Sequence, residues 1–126
     1  MSSYVLDSSA ILAVLHREAG ADEAIEYFAQ SVVSAGNAAE VLTKLVEKSN
    51  DISSAVKAFE LLQLTVVDFD IVNAEKVAEL RPLTKNLGLS LGDRCCLALA
   101  ILSDATAVTA DGSWKKFKLC PVEVIR

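Results

Sequence analysis

The chain has 126 residues, 12 of them Lys or Arg and 17 Asp or Glu, a formal net charge of −5, and 52% hydrophobic residues. That length suits one ordinary domain with its own core, so a single domain over residues 1–126 is expected. The acidic balance argues against binding nucleic acid through a broad basic face. Three cysteines without a CxxC spacing, Cys95 and Cys96 adjacent and Cys120 apart, argue against a disulfide framework or a zinc centre.

The cysteines read as buried apolar thiols. His16, the single histidine, falls at a helix end and is expected in solvent, so a Ser-His-Asp hydrolase would depend on that one side chain. The longest uncharged apolar run, Cys95 to Leu102, is far short of the ~20 residues of a membrane span. MSSYVLD has no basic stretch leading into an apolar one. A soluble, cytoplasmic protein without membrane association is expected.

In chain order, SYVLD is a short β-branched and aromatic run ending at Asp7, and SSAILAVLHRE continues with Ile11, Leu12, Val14 and Leu15 in helical style. ADEAIEYFAQ places Ala24, Ile25, Phe28 and Ala29 on one helical face, opposite Asp22, Glu23 and Glu26. SVVSA is a brief buried strand. From Asn37 a helix carries Val41, Leu42, Leu45 and Val46, and after SND another carries Ile52, Val56, Phe59 and Leu62, which makes Asn37 to Leu62 a helical hairpin. LTVVDFD is a third strand, AEKVAELRPL a helix disturbed by Pro82, and KNLGLS a turn. LSLGDRCCLALAIL then reads as a helix apolar on every side, the kind found mid-domain, yet it opens on Asp93 and Arg94. ATAVTAD is a fourth strand and PVEVI a possible fifth.

This alternation predicts an α/β fold: a central parallel sheet of four to five strands covered by helices on both faces. Right-handed crossovers bring the C-terminal strand ends to one edge, where open α/β sheets bind ligands. Asp7 ends the first strand and Asp111 follows the fourth. Glu40 lies in the first turn of the helix leaving the second strand, and Asp93 in the first turn of the buried helix. Four carboxylates are therefore expected at one edge.

Each has a structural reading. Asn37 with Glu40, and Ser90 with Asp93, fit a cap followed by an acid three residues on. Asp7 before Ser8 fits a helix cap, and Asp111-Gly112 a turn. Together, though, the four repel: two like charges at ~4 Å cost about 1 kcal/mol in water and about 4 kcal/mol at an effective dielectric near 20. A cation reverses the sign, and hard oxygen ligands without His or thiolate suit Mg²⁺ or Mn²⁺. Arg94 could answer a carboxylate or phosphate, or serve as a structural ion-pair partner. Lys115, Lys116 and Lys118 in WKKFK read as a solvated face.

YVLDSSAILA, GNAAEV, LSLGDRCCLALA and VTAD, in that order, resemble the motifs of PIN-domain ribonucleases, specifically VapC-type toxins of type II toxin–antitoxin systems. The resemblance implies that Asp7, Glu40, Asp93 and Asp111 are the acidic metal-binding and catalytic set, with Ser9 and Thr109 supporting carboxylates or metal waters. It implies a Mg²⁺-dependent endoribonuclease, Mn²⁺ being an alternative ion, that hydrolyses RNA with a carboxylate such as Glu40 orienting the attacking water. Affinity for RNA would then rest on the metal and on local bases such as Arg94, Lys115 and Lys116. It further implies a homodimer and a VapB-type antitoxin whose tail sets a basic side chain against the acids, with the Asn37 to Leu62 hairpin as a wall of its groove. A mean hydropathy of +0.39 is an independent hint of an interface. Asp68 and Asp70 match no acid of the family and read as strand-end and helix-cap residues.

Three rivals differ in class. A phosphoacceptor receiver domain needs an acidic pair after the first strand, where this chain has Asp7 followed by two serines. A haloacid-dehalogenase-type phosphatase needs a second acid where Ser9 stands. A catalytically silent binding module on a PIN-like fold is not separated from an active enzyme by the presence of all four acids.

Overall fold

A computed structural model describes residues 3–126; Met1 and Ser2, the start of the stretch read for a leader, lie outside them. The strands are β1 (Tyr4–Leu6), β2 (Ser31–Ser34), β3 (Thr65–Val67), β4 (Thr106–Thr109) and β5 (Val122–Val124). The helices are α1 (Ser8–Leu15), α2 (Ala21–Tyr27), α3 (Ala35–Ser49), α4 (Ile52–Glu60), α5 (Ile71–Thr84) and α6 (Leu91–Leu102). All strand pairs are parallel and the sheet order is β3-β2-β1-β4-β5, the predicted α/β architecture. The chain leaves β1 towards β2 on one side and returns to β4 on the other, so β1 and β4 flank the topological switch point.

Alternation along the strands divides the core into two layers. Val5, Val32 and Ala107 face a cluster with Val77 and Leu80 of α5, Cys96, Leu97 and Leu99 of α6, and Trp114. Leu6, Val33 and Val108 face the opposite cluster, with Ile11 of α1, Val41 of α3 and Phe59 of α4. The residues of α6 from Cys95 to Ala100 are all buried, as its apolar surround predicts. Burial pushes the thiols of Cys95 and Cys96 up, and that of Cys120 to about 11, which favours the neutral thiol over the thiolate. His16 caps the C-terminal end of α1 and is exposed.

Two local expectations are corrected. Helix α3 begins at Ala35, with Ser34 as its cap accepting from Gly36 N–H, so Asn37 lies inside the first turn and is not a cap. Helix α5 starts at Ile71, capped by Asp70, and runs through Pro82 to Thr84 before a 3-10 turn at Lys85–Leu87. Pro82 removes the N–H that would have bonded the carbonyl four residues back, and only two helical residues follow it. Among the described residues, no helix is long and apolar enough to cross a membrane.

Candidate active site

Asp7 leaves β1 at the switch point and caps α1, accepting from Ala10 N–H at 2.8 Å on Oδ1. It is only 3% exposed. The Thr109 hydroxyl donates to its Oδ2 at 2.6 Å, and the Ser9 hydroxyl lies 2.8 and 2.9 Å from its two oxygens. Burial lifts the Asp7 carboxyl to about 6, against the pull of these hydrogen bonds and with help from the charge of Asp93. Thr109 also accepts from Asp111 N–H at 3.0 Å, and Ser9 from Ala110 N–H at 2.9 Å, which ties the end of β4 to the end of β1.

Asp93 stands in the first turn of α6 within a complete capping box: Ser90 N–H donates to its Oδ2 at 2.8 Å, and Asp93 N–H donates to Ser90 Oγ at 3.1 Å. Its carboxyl is pushed up by burial, then by the charges of Asp111 and Glu40. Asp111 is exposed and caps the 3-10 turn Gly112–Lys116, accepting from Ser113 N–H at 2.9 Å. The expected capping readings of Asp7 and Asp93 therefore hold, and Asp111, read as part of a turn, caps the 3-10 turn that follows it.

Glu40 reaches the same edge from α3. Its Oε1 accepts from Asn37 Nδ2 at 2.9 Å, and the same amide donates to the carbonyl of Gly92 at 2.9 Å. Asn37 is fully buried, and its Oδ1 has no partner among the described residues. Turning the amide round would set oxygen against both acceptors, so the orientation is fixed by chemistry. Sequence reasoning missed this role; its signal was an Asn and a Glu three residues apart on one helical face.

Among the described residues no ion pair neutralises any of the four acids; the pairs present are Lys44–Glu47, Lys76–Glu79 and Arg126–Glu18. Nor do three carboxylate, imidazole or thiolate side chains there enclose a metal. The donors offered are carboxylate and hydroxyl oxygens, which fit a hard cation that keeps several waters. Arg94, which the sequence set near the acids, has its Nη1 on the Val77 carbonyl of α5 at 3.0 Å, while its buried Nε lacks a partner. Lys115 and Lys116 are exposed on the turn following Asp111. Asp70 is occupied as the cap of α5, accepting from both the N–H and the Nδ2 of Asn73, and Asp68 is exposed.

Fold and site together define a parallel α/β domain in which Asp7 leaves the sheet at the switch point, with Asp93 near enough for its charge to help raise the Asp7 carboxyl. The chain belongs to the PIN domain family, which matches residues 4–118. Its fold is shared with VapBC2 from Rickettsia felis bound to a promoter DNA fragment, at TM-score 0.76 and 20% identity over 96% of this chain and 97% of that one. It is shared with DNA-bound VapBC from Salmonella typhimurium, at TM-score 0.78 and 17% identity over the whole of both chains. It is also shared with VapC20 from Mycobacterium tuberculosis, a sarcin-ricin loop cleaving toxin, at TM-score 0.73 and 19% identity over 94% and 99%. No curated protein matches the sequence.

Proposed function

We propose that the chain is a VapC-like endoribonuclease toxin that hydrolyses RNA phosphodiester bonds with Mg²⁺, or Mn²⁺ in its place. The observation that carries this reading is Asp7: a buried carboxylate held by two hydroxyls and a backbone N–H, beside Asp93, with no ion pair to offset it among the described residues. Uncompensated charge of this kind is retained where a ligand supplies the compensation. The sarcin-ricin loop cleaving toxin that shares the fold supports RNA as the substrate class.

Asp7, Asp93 and Asp111, with Glu40, would hold the ion. A bound Mg²⁺ supplies a polarised phosphate and a more acidic water. Ser9 and Thr109 keep the Asp7 carboxylate oriented, and the α6 backbone does the same for Asp93 through its capping box. Glu40 orients the water whose oxygen bonds to phosphorus as the ribose oxygen departs. Lys115 and Lys116, and Arg94 through the donors that Val77 does not use, attract the flanking phosphates.

We also propose a VapB-type antitoxin, supported by the VapBC assemblies that share the fold, and a homodimer, for which the mean hydropathy of +0.39 is the hint. A groove of about 400 Å³ lies on α3 and the start of α4, lined by Ala39, Leu42, Val46 and Ile52. A tail that seats there and also sets a basic side chain against the acids would compete with metal and RNA, so binding and inhibition rise together.

The test is cleavage of total cellular RNA with Mg²⁺, with and without chelator, followed by mapping of the new ends. Chelator-sensitive cuts at defined positions are expected. Intact RNA under all conditions would favour the silent binding module, the reading that agrees with the lack of a closed metal cage among the described residues.

A further inference from the structure

Helices α3 and α6 approach each other at their first turns through two glycines. A Cβ on Gly36 would sit 3.0 Å from Cys95 Sγ, and a Cβ on Gly92 would fall on the carboxylate of Glu40, whose Cδ and oxygens are 2.1–2.5 Å from that position. The Glu40 carboxylate thus lies flat against the α6 backbone, in a space that exists because residue 92 has no side chain. Asn37 closes the arrangement, its two amide hydrogens joining Glu40 Oε1 to Gly92 O.

We infer that Asn37 and Gly92 form a clamp that positions Glu40 against the helix carrying Asp93, so that these two acids keep a fixed separation before any metal or RNA arrives. The inference rests on the nuclease reading proposed above. Three features carry it. Asn37 is fully buried, so its amide is not free to reorient in solvent. Both of its donors end on the two groups that set the separation, one in each helix. Its Oδ1 goes without a partner, so the residue is held in place for its donors rather than for complete satisfaction. Asn37 and Gly92 are positioning residues, since neither meets substrate in this arrangement; they act through Glu40.

Gly92→Ala is the sharper test. What its methyl meets is the far end of a flexible side chain, so Glu40 can swing away and the fold survive. Alanine also suits a helical position better than glycine. The expected result is a folded protein, with kcat for RNA cleavage down at least tenfold and KM within twofold. Glu40→Gln should cause a comparable loss, and the Gly92→Ala/Glu40→Gln double variant should be no worse than the poorer single variant, because both act through one carboxylate. Asn37→Asp, of the same shape but without donors, should lose kcat similarly.

A second readout avoids activity. In chelator, the side-chain amide hydrogens of Asn37, followed by nitrogen-edited NMR, should exchange slowly in wild type and rapidly in Gly92→Ala. Fast exchange in wild type overturns the clamp even in an active enzyme. Gly92→Ala retaining kcat within twofold of a cleaving wild type also overturns it alone. A wild type with a protected amide that cleaves no RNA with Mg²⁺ overturns the nuclease reading, and with it the clamp as a catalytic device.

Discussion

The Thr109 hydroxyl joins the two strands of the switch point: it donates to Asp7 Oδ2 at 2.6 Å and accepts from Asp111 N–H at 3.0 Å. Thr109→Val keeps the shape and removes both bonds. A hydrogen bond to a charged group contributes roughly 1.5–3 kcal/mol, and one to a neutral group about 1. The loss of stability in urea should therefore be larger at pH 8, where Asp7 is ionised, than at pH 5, where it is mostly protonated. Equal losses at the two pH values would count against an ionised Asp7 as the acceptor.

Burial raises the folded-state pKa of Asp7 to about 6, above the ordinary value near 4 of an unfolded chain. Between these values the native state holds a proton that the unfolded state has released, so this contribution is complete at low pH and is lost as pH rises through about 6. The span corresponds to about 3 kcal/mol at most, and Asp93, also raised, acts in the same direction. Asp51 and Asp70 are lowered by hydrogen bonds, and their contributions are lost only as pH falls below the ordinary carboxylate range. In chelator the melting temperature should fall from pH 4.5 to 7.5, and millimolar Mg²⁺ should restore it at pH 7.5 but not at pH 4.5. A chelated protein that gains stability across that interval would contradict the assignment.

Asp93→Asn keeps an oxygen for Ser90 N–H and removes the charge. Cleavage should drop at least 100-fold, as expected for loss of a group acting on the reacting centre. In chelator at pH 7.5 the variant should melt at or above wild type, because repulsion with Asp111 and Glu40 is relieved. Undiminished turnover by the folded variant would remove Asp93 from the catalytic set.

Arg94 and the lysines should separate by measurement. Lys115→Ala and Lys116→Ala, both exposed, should change stability by less than about 0.5 kcal/mol. If both residues contact phosphate, the double variant should weaken RNA binding and shallow its salt dependence by roughly two in slope. Arg94→Ala removes the donor to Val77 O, five residues before Pro82, and should destabilise the protein by roughly 1–3 kcal/mol. An Arg94→Ala protein of wild-type stability, but with a reduced salt slope, would move Arg94 from α5 to the RNA.

The order of strands and helices, the buried character of α6 and the places of Asp7 and Asp111 just after β1 and β4 were legible in the sequence. They follow from local periodicity and from the handedness of parallel crossovers, which act on every chain of this pattern. The capping box at Ser90 and Asp93 was legible for the same reason, since both partners lie within one turn. The start of α3 was not: Ser34 and Asn37 are both good caps by type, and packing decided between them by burying Asn37 against α6. The partners of Asn37 and Glu40 on Gly92, 55 residues from Asn37, and the choice of Val77 by Arg94, depend on how closely two helices approach. Helix separation is set by which side chains are absent at the contact, here at Gly36 and Gly92, and no period in a single segment carries that information.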